Sequence, residues 1–246
     1  MCLTCGCGDP GIVPVDVHEK ILAGNDRTAQ HNREHFIEHG VLAVNLMGSP
    51  GSGKTAILEA TSRALRGSKK IRAVSGDLAT HNDAERLSAA GIPSVPITTG
   101  SACHLDAELV HHALHDIPLE GLDIFFIENV GNLVCPAVYD LGQAANVVAL
   151  SVTEGEDKPL KYPVMFLKAD LVLLTKMDLL PHLDVRVSAI EDALAQVMPQ
   201  PEMIKVSAKT GEGVEQWIHW LEARRAAAPG PDAPARRAPH PSAPGH

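Results

Sequence analysis

The chain has 246 residues, enough for one substantial hydrophobic core and too few for two large ones. A net charge of −9 and 3% aromatic residues argue against nucleic acid as a main partner, because phosphate backbones are repelled and few rings are present for base stacking. No run approaches the ~18 consecutive apolar residues of a membrane helix, and MCLTCGCGDP lacks the basic and apolar regions of a secretory signal, so a cytoplasmic protein with no membrane partner is expected.

In chain order, residues 1–10 come first and are too rich in Cys and Gly to form a core. Five cysteines, an odd number and unevenly clustered, do not make a disulfide framework in a reducing compartment. Cys2, Cys5 and Cys7, with the α-amine of Met1, give four soft or borderline donors on a Gly-containing strip, a set suited to Ni²⁺ or Zn²⁺. A redox CxxC is the competing reading, but such motifs open a helix in a folded domain.

Residues 11–40 read as a helical linker, with Ile21, Leu22, Phe36 and Ile37 as apolar anchors and Asn25 or Asp26 as a possible helix start. His31, His35 and His39 recur at i, i+4, i+8 and read as a solvated face, as do His111 and His115 further on. His35-Phe-Ile-Glu38-His39 also matches the H-x-x-E-H pattern of inverted zinc peptidases, but no peptidase domain accompanies it.

Residues 41–225 alternate apolar runs with amphipathic stretches. The runs at 41–47, 71–75, 93–98, 122–127, 146–152, 170–174 and 202–206 read as strands, and 53–66, 81–90, 104–117, 184–197 and 211–225 as helices. Nearly continuous apolar strands alternating with helices predict an α/β fold, a mostly parallel sheet covered by helices on both faces. Residues 226–246, Ala/Pro-rich, read as a disordered tail.

The first run passes directly into GSPGSGKT, residues 48–55, and then into a helix, which is the P-loop pattern in its strand–loop–helix setting. Gly48, Gly51 and Gly53 allow the backbone to aim consecutive N–H groups at phosphate oxygens, with Ser52 in the same cradle. Lys54 is expected on the β- and γ-phosphates and the Thr55 hydroxyl on Mg²⁺. Glu128, closing the run LDIFFIE, and Asp77, closing IRAVSGD, are carboxylates at one sheet edge. They are expected to hold magnesium with Thr55 or to position water, so Lys54, Asp77 and Glu128 form the expected catalytic set, and Gly131 is expected to donate its N–H to the γ-phosphate.

Thr175, Lys176 and Asp178 in TKMD resemble the Asn-Lys-x-Asp element that reads guanine, through two hydrogen bonds to an ionised carboxylate that adenine cannot match. Thr175 stands where Asn is usual, and a weaker local scaffold is expected. SAKTG, with Ser207, Ala208 and Lys209, resembles the element whose backbone N–H, here that of Ala208, reads guanine O6. GTP and GDP, rather than the adenine nucleotides, are the expected ligands.

Two cysteines lie within this domain. Ser101 reads as an N-cap that would place Cys103 and His104 in the first turn of a helix, where a thiol's pKa is lowered. Cys135 follows Glu128-Asn-Val-Gly131 by a few residues, on the segment expected to move with the γ-phosphate. Cys103, His104 and Cys135 are therefore candidates for one incomplete metal site, completed by solvent or a second subunit.

MCLTCGC, GSPGSGKT, Cys103-His104, ENVGNLVCP, TKMD and SAKTG together resemble the HypB family of nickel GTPases that act in hydrogenase maturation, and the likeness spans about residues 1–222. The resemblance implies a GTP-dependent homodimer that delivers nickel to the large subunit of [NiFe]-hydrogenase, working with the metallochaperone HypA. It implies two metal sites, Cys2, Cys5 and Cys7 for Ni²⁺, and Cys103, His104 and Cys135 for Ni²⁺ or Zn²⁺. No long His-rich stretch lies near the N-terminus, so nickel storage of the kind some members perform is not implied. A storage protein with a vestigial nucleotide site and a urease-type accessory GTPase are the alternatives. The first leaves Lys54, Thr55, Asp77, Glu128 and Asp178 without a purpose, and the second leaves the N-terminal cysteines unexplained.

Overall fold

The computed structural model describes residues 15–78, 80–100 and 102–228; Cys2, Cys5, Cys7, Ser101 and the tail beyond 228 lie outside them. Seven parallel strands form one sheet: β1 Leu42–Met47, β2 Ile71–Asp77, β3 Ser94–Thr98, β4 Ile124–Glu128, β5 Ala145–Ser151, β6 Leu171–Thr175 and β7 Met203–Lys205. Their order across the sheet is β3-β2-β4-β1-β5-β6-β7. Each strand matches one of the seven apolar runs.

The helices are α1 Val15–Glu38, α2 Lys54–Leu65, α3 Asn82–Ala89, α4 Ala107–Leu114, two short ones at α5 Lys158–Lys161 and α6 Pro163–Leu167, then α7 Val187–Val197 and α8 Val214–Ala227. Side chains alternate across the central strands, so each strand serves two cores. From β1 and β4, Leu42, Val44, Leu46, Ile124 and Phe126 join Ile57 and Leu58 of α2 and Trp217 and Leu221 of α8. Their alternates Ala43, Phe125 and Ile127 pack with Phe36 of α1 and Val110 of α4. A third cluster joins Val148, Leu150, Val172 and Leu174 to Phe166, Ile190 and Leu194. Burial on both faces is why these strands read as apolar runs rather than strict alternations.

Two helix starts differ from expectation. α1 runs unbroken through Asn25 and Asp26. Instead of capping, Asn25 reaches outward: its Nδ2 donates to the Asp140 carbonyl at 2.8 Å, and its Oδ1 accepts from Ala107 N–H at 2.9 Å. α4 is capped not by Ser101 but by Asp106, whose carboxylate accepts from Leu109 N–H at 2.9 Å. Cys103 and His104 consequently sit in the loop before α4 rather than in its first turn.

Candidate functional site

The carboxyl ends of β1, β2 and β4 surround a cleft of about 460 Å³ lined by Lys54, Thr55, Asp77, Asp83, Glu128 and Gly131. The loop from Gly48 to Gly53 builds its floor. At Gly48, with φ of 147°, a Cβ would lie 2.4 Å from the Ala149 carbonyl oxygen and 2.7 Å from Ser52 Oγ. The β1 end can press against β5 only because that position has no side chain. Gly131 is pressed on the same loop from above, where a Cβ would meet Pro50 at 2.9 Å.

Thr55, in the first turn of α2, donates to Glu128 Oε1 at 2.6 Å and lies 3.0 Å from Asp83 Oδ1. Glu128 is 2% exposed, and burial pushes its carboxyl above the usual range, against the opposing pull of the Thr55 hydrogen bond and the Lys54 charge. Burial likewise pulls the Lys54 ammonium down, and its Nζ donates to the carbonyls of Gly48 and Ser49, each at 3.2 Å. Both groups lean toward neutrality because burial outweighs their mutual attraction. Asp77 lines the cleft without touching Thr55; its carboxylate accepts from Leu78 N–H and from the Thr80 hydroxyl.

Ser52 Oγ is buried with no hydrogen-bond partner among the described residues, although it sits in a loop of the phosphate-cradling type. Such a donor is costly unless something accepts from it, and a phosphate oxygen would. The all-oxygen set of one hydroxyl and two carboxylates at Thr55, Glu128 and Asp83 has the chemistry magnesium takes. Asp83 was not singled out in the sequence. It lies two residues into HNDAER, and only the packing of α3 beside α2 brings it to Thr55.

On the far side of the loop, Asp178 Oδ1 accepts from Ser207 Oγ at 2.7 Å, and Lys209 Nζ stands 3.9 Å from Oδ2. Lys176 adopts the left-handed conformation at φ 59°, which turns the chain so that Asp178 meets the Ser207–Lys209 loop, where Ala208 lies. Thr175 departs from the expected weak scaffold. It is buried, and its hydroxyl donates to the Ser52 carbonyl at 2.6 Å, joining β6 to the phosphate loop.

The segment beyond Glu128 leads to the other candidate metal group. Cys103 Sγ and Cys135 Sγ are 2.8 Å apart, both thiols, and His104 Nδ1 is 3.8 Å from Cys103 Sγ. The ligand atoms of all three lie within 4.8 Å of one another. His104 stacks on Tyr139 at 3.9 Å, and burial lowers its pKa, against the pull of Asp106. A neutral imidazole with two thiols is a donor set for nickel or zinc.

Asn129 and Asn132 tie the two groups together, and neither stood out in the sequence. Asn129 Oδ1 accepts from Leu105 N–H at 3.2 Å, and its Nδ2 donates to Asn45 Oδ1 at 3.1 Å. Asn132 Nδ2 donates to the Cys103 carbonyl at 3.3 Å, and Asn132 makes an isolated antiparallel bridge with Gly48. The segment from Glu128 to Cys135 thus touches the phosphate loop at one end and carries the cysteine site at the other.

The family described as CobW/HypB/UreG, nucleotide-binding domain, matches residues 42–205. The hydrogenase maturation factor HypB of Rhizobium leguminosarum bv. viciae is 52% identical over 216 residues, 86% of this chain and 72% of that protein. HypB from Helicobacter pylori, solved in complex with nickel, matches with a TM-score of 0.80 and 39% identity, over 83% of this chain and 96% of that one. HypB from Archaeoglobus fulgidus matches with a TM-score of 0.77 and 40% identity, over 83% of this chain and all of that one.

Proposed function

The chain belongs to the HypB family, and from that premise we propose that it is a GTP-hydrolysing nickel chaperone of hydrogenase maturation. One observation carries the reading: a single segment runs from Glu128, bonded to Thr55 in the phosphate cleft, to Cys135, beside Cys103. A storage protein needs no such junction.

In this reading Gly48, Gly51, Ser52, Gly53 and Lys54 cradle the phosphates, and Gly131 donates its N–H to the γ-phosphate. Thr55 and Glu128, with Asp77 and Asp83 beside them, would hold magnesium, which would supply positive charge against the nucleotide phosphates. Lys54 shares that work, and Asp77 and Glu128 order water at the cleft. Asp178 accepts from the guanine N1 and N2 positions, the Lys176 stem covers the base, and Ala208 N–H, between Ser207 and Lys209, meets O6. Thr175 holds this half of the site against the phosphate loop.

Nickel is the cargo, held by Cys2, Cys5 and Cys7 and by Cys103, His104 and Cys135, with zinc an alternative occupant of the second group. The thiol pair needs further donors to complete a coordination shell, and exposed Val134 and Val138 flank Cys135. That favours a homodimer formed on GTP or metal binding. HypA as metal donor or acceptor, the [NiFe]-hydrogenase large subunit as destination, and a cytoplasmic location complete the proposal. No helix among the described residues is long and apolar enough to cross a membrane.

The test exploits Asp178. Asp178→Asn replaces an acceptor with an amide, and xanthosine triphosphate offers the matching acceptor on its base. Hydrolysis, and with it the release of bound nickel to a competing chelator, should both switch from GTP to xanthosine triphosphate. Nickel release that ignores the nucleotide, or a variant that keeps wild-type GTP affinity, would sink the reading.

A further inference from the structure

The histidines of α1 and α4, expected to be two separate solvated faces, are brought together by helix packing. His31 and His111 rings lie 5.1 Å apart across the interface, and His111 and His115 4.9 Å apart within α4 and its cap. His35, His39, His111 and His115 line one cavity of about 430 Å³, with Glu120 on its wall. Ligand atoms of His35, Glu38 and His39 already lie within 4.8 Å of one another.

Two of these rings, His39 and His111, are held as metal ligands are. His39 Nδ1 is 2.9 Å from the His35 carbonyl oxygen, which can only accept, so Nδ1 carries the proton and Nε2 the lone pair. His111 Nδ1 is 3.0 Å from Asn32 Oδ1. Asn32 is buried and uses its amide hydrogens on the carbonyls of Ala107 and Leu141, at 2.9 and 3.2 Å, so Oδ1 is the acceptor here too. Two imidazoles that line one cavity thus each fix Nδ1–H on an oxygen and leave Nε2 available, the hydrogen bonding that sets a metal-binding tautomer. A surface ion pair between His39 Nε2 and Glu120, 3.7 Å apart, would account for neither the His111–Asn32 bond nor the convergence of two helices' histidines.

We propose that this cavity is a further metal site of the chain, binding a divalent ion of the nickel–zinc group. His35 and His39 form an i, i+4 chelate with Glu38, and His111 and His115 complete it from the facing helix. Bonds of ~2.0–2.1 Å require donor atoms roughly 3.3 Å apart, so His35, Glu38 and His39, whose ligand atoms lie within 4.8 Å of one another, close by at most about 1.5 Å on loading, and His111 and His115 approach from the other side of the cavity. The donors are all nitrogen and oxygen, unlike the thiol pair at Cys103 and Cys135, so the site is harder and suits ions that imidazole binds well. Its α4 donors lie about 7 to 14 Å along the helix from the N-cap Asp106, and the site does not rest on the reading of the nucleotide cleft.

The experiment uses the full chain stripped of metal, with Ni²⁺ and Zn²⁺ as probes. Equilibrium dialysis with elemental analysis should show one equivalent fewer in His35→Asn/His39→Asn than in the wild type. In parallel, diethyl pyrocarbonate modification of the wild type is mapped by peptide mass. Saturating nickel should protect His35, His39 and His111 from modification at least fivefold, and this readout needs no variant to fold. A folded double variant with wild-type stoichiometry, or no protection at saturating nickel or zinc, overturns the site.

Discussion

Glu128 is a carboxyl group whose burial opposes its charge more than the Thr55 hydrogen bond and the Lys54 ammonium favour it. Burial raises its pKa, so folding favours the protonated form. The stability it contributes is full below the ordinary carboxylate pKa and is lost as pH rises through the raised folded value. Glu128→Gln keeps an oxygen for the Thr55 hydroxyl and cannot ionise. The nucleotide-free variant should therefore be more stable than the wild type at pH 7–8, where the wild-type carboxyl is the most penalised. It should also lose the decline in stability with rising pH, and Mg²⁺-dependent nucleotide binding with it. Thermal melts from pH 5 to 9, with and without magnesium and GTP, check this. A variant that melts lower at every pH would show that the charge is compensated in the nucleotide-free protein.

Among the elements, the joint between β6 and the phosphate loop transmits more than its short motif suggests. Thr175 ends β6 and holds the Ser52 carbonyl, while three residues on Asp178 meets Ser207. In the proposed reading, the base side and the phosphate side of the cleft therefore share one strand end. Thr175→Val keeps the shape and removes the hydroxyl, leaving the Ser52 carbonyl without this donor, at a cost of about 1–3 kcal/mol. The melting temperature should fall by roughly 2–4 °C per kcal/mol for a domain of this size. GTP affinity should drop several-fold, and Thr175→Ser should restore most of both. Calorimetric melts and nucleotide titrations check the pair. An unchanged Thr175→Val protein would show that the strand end is held by packing alone.

Across the whole molecule, the segment from Glu128 to Cys135 joins the cleft around Thr55 to the Cys103–Cys135 pair. If loading of the γ-phosphate moves Gly131, then Asn132, Cys135 and the Cys103 carbonyl move with it. A shift of ~1 Å at Cys135 is large against a zinc–sulfur bond of ~2.3 Å. Metal affinity at Cys103, His104 and Cys135 should therefore differ between GDP and a non-hydrolysable GTP analogue by roughly 5–150-fold, or about 1–3 kcal/mol. By linkage, metal should change nucleotide affinity by the same factor. The measurement uses protein with Cys2, Cys5 and Cys7 replaced, and Cys135→Ala should abolish the difference while GTP still binds. Equal affinities and equal absorption spectra in both states would defeat the gating.

By itself the sequence determined the seven strands and the parallel sheet, because strands buried on both faces must be apolar along their whole length. It also determined the order of the nucleotide motifs, because the phosphate loop and the base-reading elements are local strings set at strand ends. What only the tertiary structure decided were the partners across distance. Ser101 and Asp106 are both capping residues, and local chemistry does not choose between them. Asn129 and Asn25 take up the Leu105 and Ala107 N–H groups, and the cap falls at Asp106. Asp83 reaches Thr55 only because α3 lies beside α2. The histidines of α1 and α4 each follow a helical period that reads as a wet face. Their meeting depends on how two helices some 75 residues apart in the chain pack, which hydrophobic periodicity orients toward a core but does not pair.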